Sequence, residues 1–310
     1  MDYLLVLIGL VALFFGGEWL VKGAIALAHR LGLPTILISL TVVGFGTSTP
    51  ELLVSVRAAL AGSPDIALGN VIGSNTANIL LIGGLAALIW PISKWDASVL
   101  RDAVIMLAVA LLALFLVQFD VIGRLAGMAM VATLVLYIWS AWQTGSAAGG
   151  DRDEDEAVVV PAPVHSTVGL IAIGLVSLFA GAEALVRGAT AIARDLGISE
   201  AVIGLTIVAV GTSLPELATS AIAALRRHSD VAVGNIVGSN IFNVLGILGL
   251  TAVIAPVGAS GNFATWDAPV MVAASVLLLA LLLRAREVSR MAGAGLLALY
   301  AAYVATLLTT

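Results

Sequence analysis

Glu51 and Glu216 each stand in the middle of an apolar stretch long enough to cross a bilayer. An ionised side chain at that depth costs at least ~2.5 kcal/mol, so it belongs beside a cavity, a partner or a bound ion. Each glutamate follows a proline, Pro50 or Pro215. Proline has no N–H and clashes with the carbonyl four residues back, so the helix is expected to kink or break there. The carbonyls released lie near Gly46 and Gly211, with Gly44 and Ala209 a turn earlier. Thr47 and Glu51 are i, i+4 neighbours on one helix face, as are Thr212 and Glu216. Each region thus gathers a carboxylate, a hydroxyl and backbone oxygen.

A second pair of segments supplies the complement. Asn70, Ser74 and Asn78 are spaced to line one helical stripe, and Asn235, Ser239 and Asn243 repeat that spacing. Gly69, Gly73, Gly234 and Gly238 remove side-chain bulk, so such helices can approach closely. The combined donors are all hard oxygen, which suits Ca²⁺, Na⁺ and related ions. The chain has no cysteine, and its histidines (His29, His165, His228) are dispersed near segment ends, so zinc and copper chemistry is disfavoured. Two carboxylates are neutralised by one divalent ion or by two or more monovalent ones. A site of that kind exchanges ions naturally.

The elements that must position these residues are membrane spans. With 61% hydrophobic and 11% charged residues and a mean hydropathy of +1.12, the chain lies far outside the soluble range. Ten stretches meet the length of about 20 apolar residues that a span needs: 3–28, 35–61, 65–90, 97–118, 121–142, 167–193, 200–225, 230–255, 266–284 and 290–308. The first is too long for a signal peptide and contains Glu18 and Lys22, so it is expected to remain in the mature protein. Residues 143–166 read as a flexible, solvated linker, with Gly149-Gly150, the acidic run Asp151 to Glu156, Pro161 and Pro163. Nothing is basic enough to argue for nucleic acid, and no feature calls for an obligatory protein partner or a cofactor.

The two sides of the linker match. Gly46-Thr47-Ser48-Thr49-Pro50-Glu51 recurs as Gly211-Thr212-Ser213-Leu214-Pro215-Glu216, and Gly69 to Asn78 recurs as Gly234 to Asn243, at a constant offset of 165. Between 43–78 and 208–243 there are 19 identities in 36 positions without a gap. Most fall on Gly, Thr, Ser, Pro, Glu and Asn rather than on the Leu, Val and Ala that apolar segments share by chance. The chain is an internal duplication, 1–142 and 167–310. Five spans per half is an odd number, so the second half enters the membrane from the opposite side, as in many secondary transporters. The predicted fold class is an all-α integral membrane protein of ten transmembrane helices in two inverted five-helix repeats. Arg30, Lys94, Arg101, Arg152, Arg226, Arg227, Arg284, Arg286 and Arg290 lie on or beside the loops after the odd-numbered spans. Arg57, Arg124, Arg187 and Arg194 are the candidates on the other side. The positive-inside rule then places both termini outside and the linker in the cytoplasm.

The remaining charged residues have plainer readings. Glu18 with Lys22, and Glu183 with Arg187, are i, i+4 ion pairs of the favourable orientation. Asp65, Asp230, Asp102 and Asp267 lie near span starts and read as caps or first-turn acids. A packing-only role for the Gly-Ser-Asn stripes leaves the duplicated mid-membrane glutamates unexplained.

The two copies of GTSxPE followed by GNxxGSNxxN resemble the α-repeats of the cation/calcium antiporter superfamily, in particular the prokaryotic sodium/calcium exchangers. The resemblance covers nearly the whole chain. It implies a central cluster of ion sites formed by spans 2, 3, 7 and 8, in which Glu51 and Glu216 bind Ca²⁺ and also Na⁺. Thr47, Ser48, Ser74, Thr212, Ser213 and Ser239 would complete the Na⁺ sites, with main-chain oxygens of Gly44 and Ala209, and Asn78 and Asn243 would be the central polar pair. Spans 1 and 6 are similar to the pair that slides across the core in this family. Some members carry Asp at the position of Asn243. Here both halves have Asn, which implies weaker Ca²⁺ binding or a different stoichiometry. The Thr-Ser pairs favour Na⁺ over H⁺ as the coupling ion.

The expectation is a secondary antiporter of a cell (inner) membrane, with Na⁺ entry expelling Ca²⁺. H⁺/Ca²⁺ exchange is the nearest alternative and a cation channel a different class. An intramembrane hydrolase would normally need His or Asp ligands that the motifs lack, and the chain has no P-loop for ATP-driven pumping.

Overall fold

The computed structural model describes residues 1–93, 97–147, 164–197, 209–258, 263–284 and 287–307. Lys94, Arg152 and Arg286, the acidic run, Pro161 and Pro163 lie outside the described residues, as does 198–208, the first part of the seventh expected span.

Helix α1 (Asp2–Leu31) ends at Gly32, whose φ of 64° is the left-handed conformation that lets a helix cap its last carbonyls. The second expected span is two helices, α2 (Thr35–Thr47) and α3 (Thr49–Leu60), bent by 43°. The first half continues with α4 (Pro64–Ile89), α5 (Ala97–Leu116) and α6 (Arg124–Ala147). The second half comprises α7 (Val164–Asp195), a short turn Ala209–Gly211 and α8 (Leu214–Leu225). It then continues with α9 (Ser229–Ile254), α10 (Phe263–Arg284) and α11 (Arg290–Leu307). Among the described residues eight helices are long and apolar enough to span a membrane, and the bent α2–α3 pair makes a ninth if it is one span. Helix α8 is the described part of the remaining span, so the count of ten rests on the sequence. Helix α6 runs past 142 and α7 starts before 167, so helix extends into both ends of the stretch read as linker.

The halves are inverted. Helices α1 and α7, equivalent by the offset, pack backbone to backbone through glycines. A Cβ on Gly16 would lie 3.0 Å from the Gly174 carbonyl, and one on Gly181 would lie 3.0 Å from the Gly9 carbonyl. The numbering rises along one helix as it falls along the other, so the two run antiparallel. Gly9, Gly16 and Gly23 recur every seven residues, as do Gly174, Gly181 and Gly188, which keeps the bare backbone on one face of each helix. Close approach of this kind replaces the hydrophobic drive that lipid cannot supply between helices.

Opposite halves are also joined by two short antiparallel clips. Ile92 and Ser93 pair with Val288 and Glu287, and Val121 and Ile122 pair with Gly258 and Val257. Helices α4 and α9 are the most buried spans among the described residues. Their Asn and Ser stripes therefore face protein rather than lipid. Each contains a π-helical turn, Asn78–Ile82 in α4 and Phe242–Leu248 in α9. Such widened turns recur at functional sites, and here Asn78 and Asn243 fall in them.

The expected ion pairs form, Glu18 with Lys22 at 2.9 Å and Glu183 with Arg187 at 2.5 Å. Asp65 and Asp230 lie in the first turns of α4 and α9. Asp102 and Asp267 depart from the reading as caps. Asp102 lies inside α5, buried, with Arg101 at 3.0 Å, and Asp267 is buried and accepts the Tyr303 hydroxyl at 2.9 Å.

Candidate cation site

The site forms where two helices break. Ser48 has φ −81° and ψ 8°, and Ser213 has φ −89° and ψ 7°, outside helical geometry, and each is the N-cap of the helix that follows. Pro50 and Pro215 lie in the first turns of α3 and α8, where a missing N–H costs nothing. The proline thus starts the next helix rather than kinking a continuous one. Glu51 and Glu216 share those first turns, where the positive end of the helix dipole favours a carboxylate.

The two carboxylates are 1% and 2% exposed, and each is held by the other half. The Ser48 hydroxyl donates to Glu216 Oε1 at 2.7 Å, and the Ser213 hydroxyl donates to Glu51 Oε1 at 3.2 Å. The second oxygen of each carboxylate is buried without a hydrogen-bond partner, as are the side-chain oxygens of Asn78 and Asn243. An unpaired buried oxygen costs about 1–3 kcal/mol, more for a charged group. All four of these oxygens belong to residues singled out in the sequence, and each is of the hard kind that suits Na⁺ or Ca²⁺.

Neighbouring amides brace the broken helices. Asn70 donates to the Glu51 carbonyl at 3.1 Å and to Ser55 Oγ at 2.9 Å. Asn235 does the same for the Glu216 carbonyl at 3.2 Å and Ser220 Oγ at 2.9 Å. Asn75 accepts from Asn243 Nδ2 at 3.0 Å and donates to the Asn240 carbonyl at 3.3 Å. This leaves the Asn243 oxygen as its unpaired end.

The two halves of the site differ. Thr47 donates to Asn235 Oδ1 at 3.2 Å, and Ser239 donates to the Gly44 carbonyl at 3.2 Å. The Gly44 carbonyl also accepts the Ser48 N–H at 3.2 Å, so it is not the released oxygen expected from the proline. Helices α2 and α9 touch here through backbone, since a Cβ on Gly238 would collide with the Leu40 carbonyl. The mirror residues Thr212 and Ser74 make no such bond among the described residues. Ala209 opens the short turn before α8, and its preceding segment is outside the described residues.

Sequence reasoning misses Ser55, Ser220, Asn75 and Asn240 as site residues. Their signal is present, since 55 matches 220 and 75 matches 240 at the common offset.

The sequence profile of the family described as Sodium/calcium exchanger protein matches residues 1–143 and 166–309. Sodium/calcium exchanger MaX1 of Methanosarcina acetivorans is 30% identical, covering 99% of this chain and 98% of that protein. Inner membrane protein YrbG of Escherichia coli is 34% identical over 81% of this chain and 79% of its own length. Among solved structures, the sodium-calcium exchanger NCX_Mj soaked with 10 mM Na⁺ and zero Ca²⁺ superposes with a TM-score of 0.86 at 32% identity, covering 99% of this chain and 98% of that one. The chain belongs to the sodium/calcium exchanger family. It is a multi-pass membrane antiporter, not an enzyme.

Proposed function

We propose that this antiporter couples Na⁺ movement down its gradient to Ca²⁺ movement in the opposite direction, by alternating access to one site shared by both ions. The observation that carries the reading is the crossed pair of buried glutamates, each with an oxygen left unpartnered. Two carboxylates balance one Ca²⁺ or at least two Na⁺, so the ions compete for the same charge. Ser48, Ser213, Thr47, Thr212, Ser74 and Ser239 are the hydroxyl donors in this reading. Asn78 and Asn243 supply amide oxygens, and Gly44 and Ala209 supply main-chain oxygens when the site rearranges around Na⁺. Neutral hydroxyl oxygens support Na⁺ as the coupling ion, because a proton would need only a carboxylate. In the proposed orientation both termini face out, the linker is cytoplasmic, and the membrane is a cell (inner) membrane. The name of the similar YrbG supports that location.

The test is Ca²⁺ uptake into proteoliposomes under an outward Na⁺ gradient, beside an imposed pH gradient, for wild type and Glu51→Gln. Uptake driven by Na⁺ and lost in the variant supports the proposal. Uptake driven only by the pH gradient assigns the protein to proton coupling, and Ca²⁺ flux indifferent to both gradients indicates a channel.

A further inference from the structure

The 165-residue offset gives each contact between the halves a mirror contact. Exchanging the conformations of the halves exchanges the two ends of an alternating-access cycle, so a contact without a mirror favours one end. Helix α1 is seated on α8, where a Cβ on Gly17 would lie 3.0 Å from the Ile222 side chain and 3.3 Å from the Ala218 carbonyl. The mirror helices, α7 and α3, have no comparable packing among the described residues. Leu53 of α3, the mirror of Ala218, is exposed.

The charges that join α1 to α8 are equally one-sided. Glu18, with its side chain 8% exposed, accepts two parallel hydrogen bonds of 2.8 Å from Arg226 at the end of α8. This is the bidentate geometry that makes arginine–carboxylate pairs strong and directional. The mirror carboxylate, Glu183, is 60% exposed and pairs with Arg187 on its own helix. The mirror of Arg226 is Ala61, which carries no charge. Next to it, the first half ends α3 with Gly62 at φ 76°, whereas the second half places Arg227 at φ 65°. That backbone conformation disfavours any residue with a Cβ, and it is held with the Arg227 guanidinium 4.3 Å over the Trp90 ring. Two arginines thus stand where the other half has Ala61-Gly62, one of them in an unfavourable backbone, and they reach across to α1 and to Trp90 just past the end of α4.

We propose that Glu18 and Arg226 are positioning residues for the transport step, a one-sided latch that holds α1 on α8. It biases the exchanger toward the state in which the α8 side of the site is covered and the α3 side is open. The proposal rests on the alternating-access reading. In the opposite state α7 seats on α3 and α1 leaves α8, and Glu183 meets the uncharged Ala61 in place of an arginine. An interaction present in only one of two states shifts the population by its own free energy.

The chain has no cysteine, so a single Ala218→Cys reports on the covered face of α8. The measurement is its rate of modification by a water-soluble methanethiosulfonate, in the purified full chain in detergent without Na⁺ or Ca²⁺. Adding Arg226→Gln is expected to raise the rate about two- to fivefold, the scale of a population shift from one half-exposed charge pair. Adding Ala61→Arg instead gives the opposite state its own latch, and it is expected to raise the rate as well. Glu183→Gln in that background should return the rate to baseline, which a merely structural effect of the Ala61→Arg substitution would not. An unchanged rate with Arg226→Gln overturns the proposal. If that variant does not fold to a monodisperse protein, Ala61→Arg decides: a rise reversed by Glu183→Gln supports the latch, and no rise overturns it. The readout is conformational, so a failed Na⁺-coupling assay and a failed latch are separate results.

Discussion

The Ser48 hydroxyl lies 2.7 Å from Oε1 of Glu216, a residue 168 positions further along the chain. Ser213 returns the contact to Glu51. Neither half therefore completes the surroundings of its own carboxylate. A change at one glutamate is felt by the hydroxyl that caps the break in the other half, which ties the two broken helices into one responsive unit.

Removing these crossed donors separates charge from coordination. Ser48→Ala and Ser213→Ala should each raise the Na⁺ concentration for half-maximal Ca²⁺ release by about tenfold, the worth of a hydrogen bond to a charged group at ~1.5 kcal/mol. Glu51→Gln and Glu216→Gln should abolish exchange. The check is Na⁺-dependent Ca²⁺ efflux from loaded proteoliposomes, and equal losses in the Ser and Glu variants would contradict this ranking.

The two bracing asparagines should differ in their effect on stability. Asn70→Ala and Asn235→Ala each remove the amide that donates to a serine hydroxyl and, as a second donor, to a helix carbonyl, two hydrogen bonds together worth about 1–3 kcal/mol. Asn235 also accepts the Thr47 hydroxyl, so its loss should lower the unfolding temperature in detergent more than loss of Asn70 does. Thermal unfolding followed by intrinsic fluorescence would decide the order.

Gly238 should tolerate no side chain, because the added Cβ would collide with the Leu40 carbonyl. Gly238→Ala is expected to prevent α2 from docking on α9 and to yield little folded protein. A Cβ on Gly169 of α7 meets nothing within 4 Å, so Gly169→Ala should leave the yield unchanged or slightly improved, by about 0.5–1 kcal/mol of helix propensity. Size-exclusion profiles of the two variants compare them directly.

What is legible in the sequence follows from what membranes penalise. Glu51 and Glu216 stand out because a carboxylate in an apolar stretch needs a reason, and the duplication stands out because its identities fall on polar residues. Spans and their inversion follow from length and parity. The position of the break does not: Pro50 and Pro215 point to it, but the non-helical residues are Ser48 and Ser213, because a proline is comfortable in a first turn. Lys22 is visible as a partner of Glu18 from helix periodicity. Arg226, 208 residues away, is not, since only the packing of α1 on α8 brings it there. Ser55 and Ser220 pass as ordinary small residues until the Asn70 and Asn235 amides are seen donating to them.

The most direct measurement of the central claim is equilibrium binding of radioactive Ca²⁺ to the purified protein in detergent, titrated with Na⁺, for wild type, Glu51→Gln and Glu216→Gln. One site shared through two carboxylates requires that Na⁺ displace Ca²⁺ with a steeper than first-order dependence, because more than one Na⁺ replaces each Ca²⁺, and that either glutamine variant lose Ca²⁺ binding. Ca²⁺ binding that ignores Na⁺, or that survives in both variants, would contradict it.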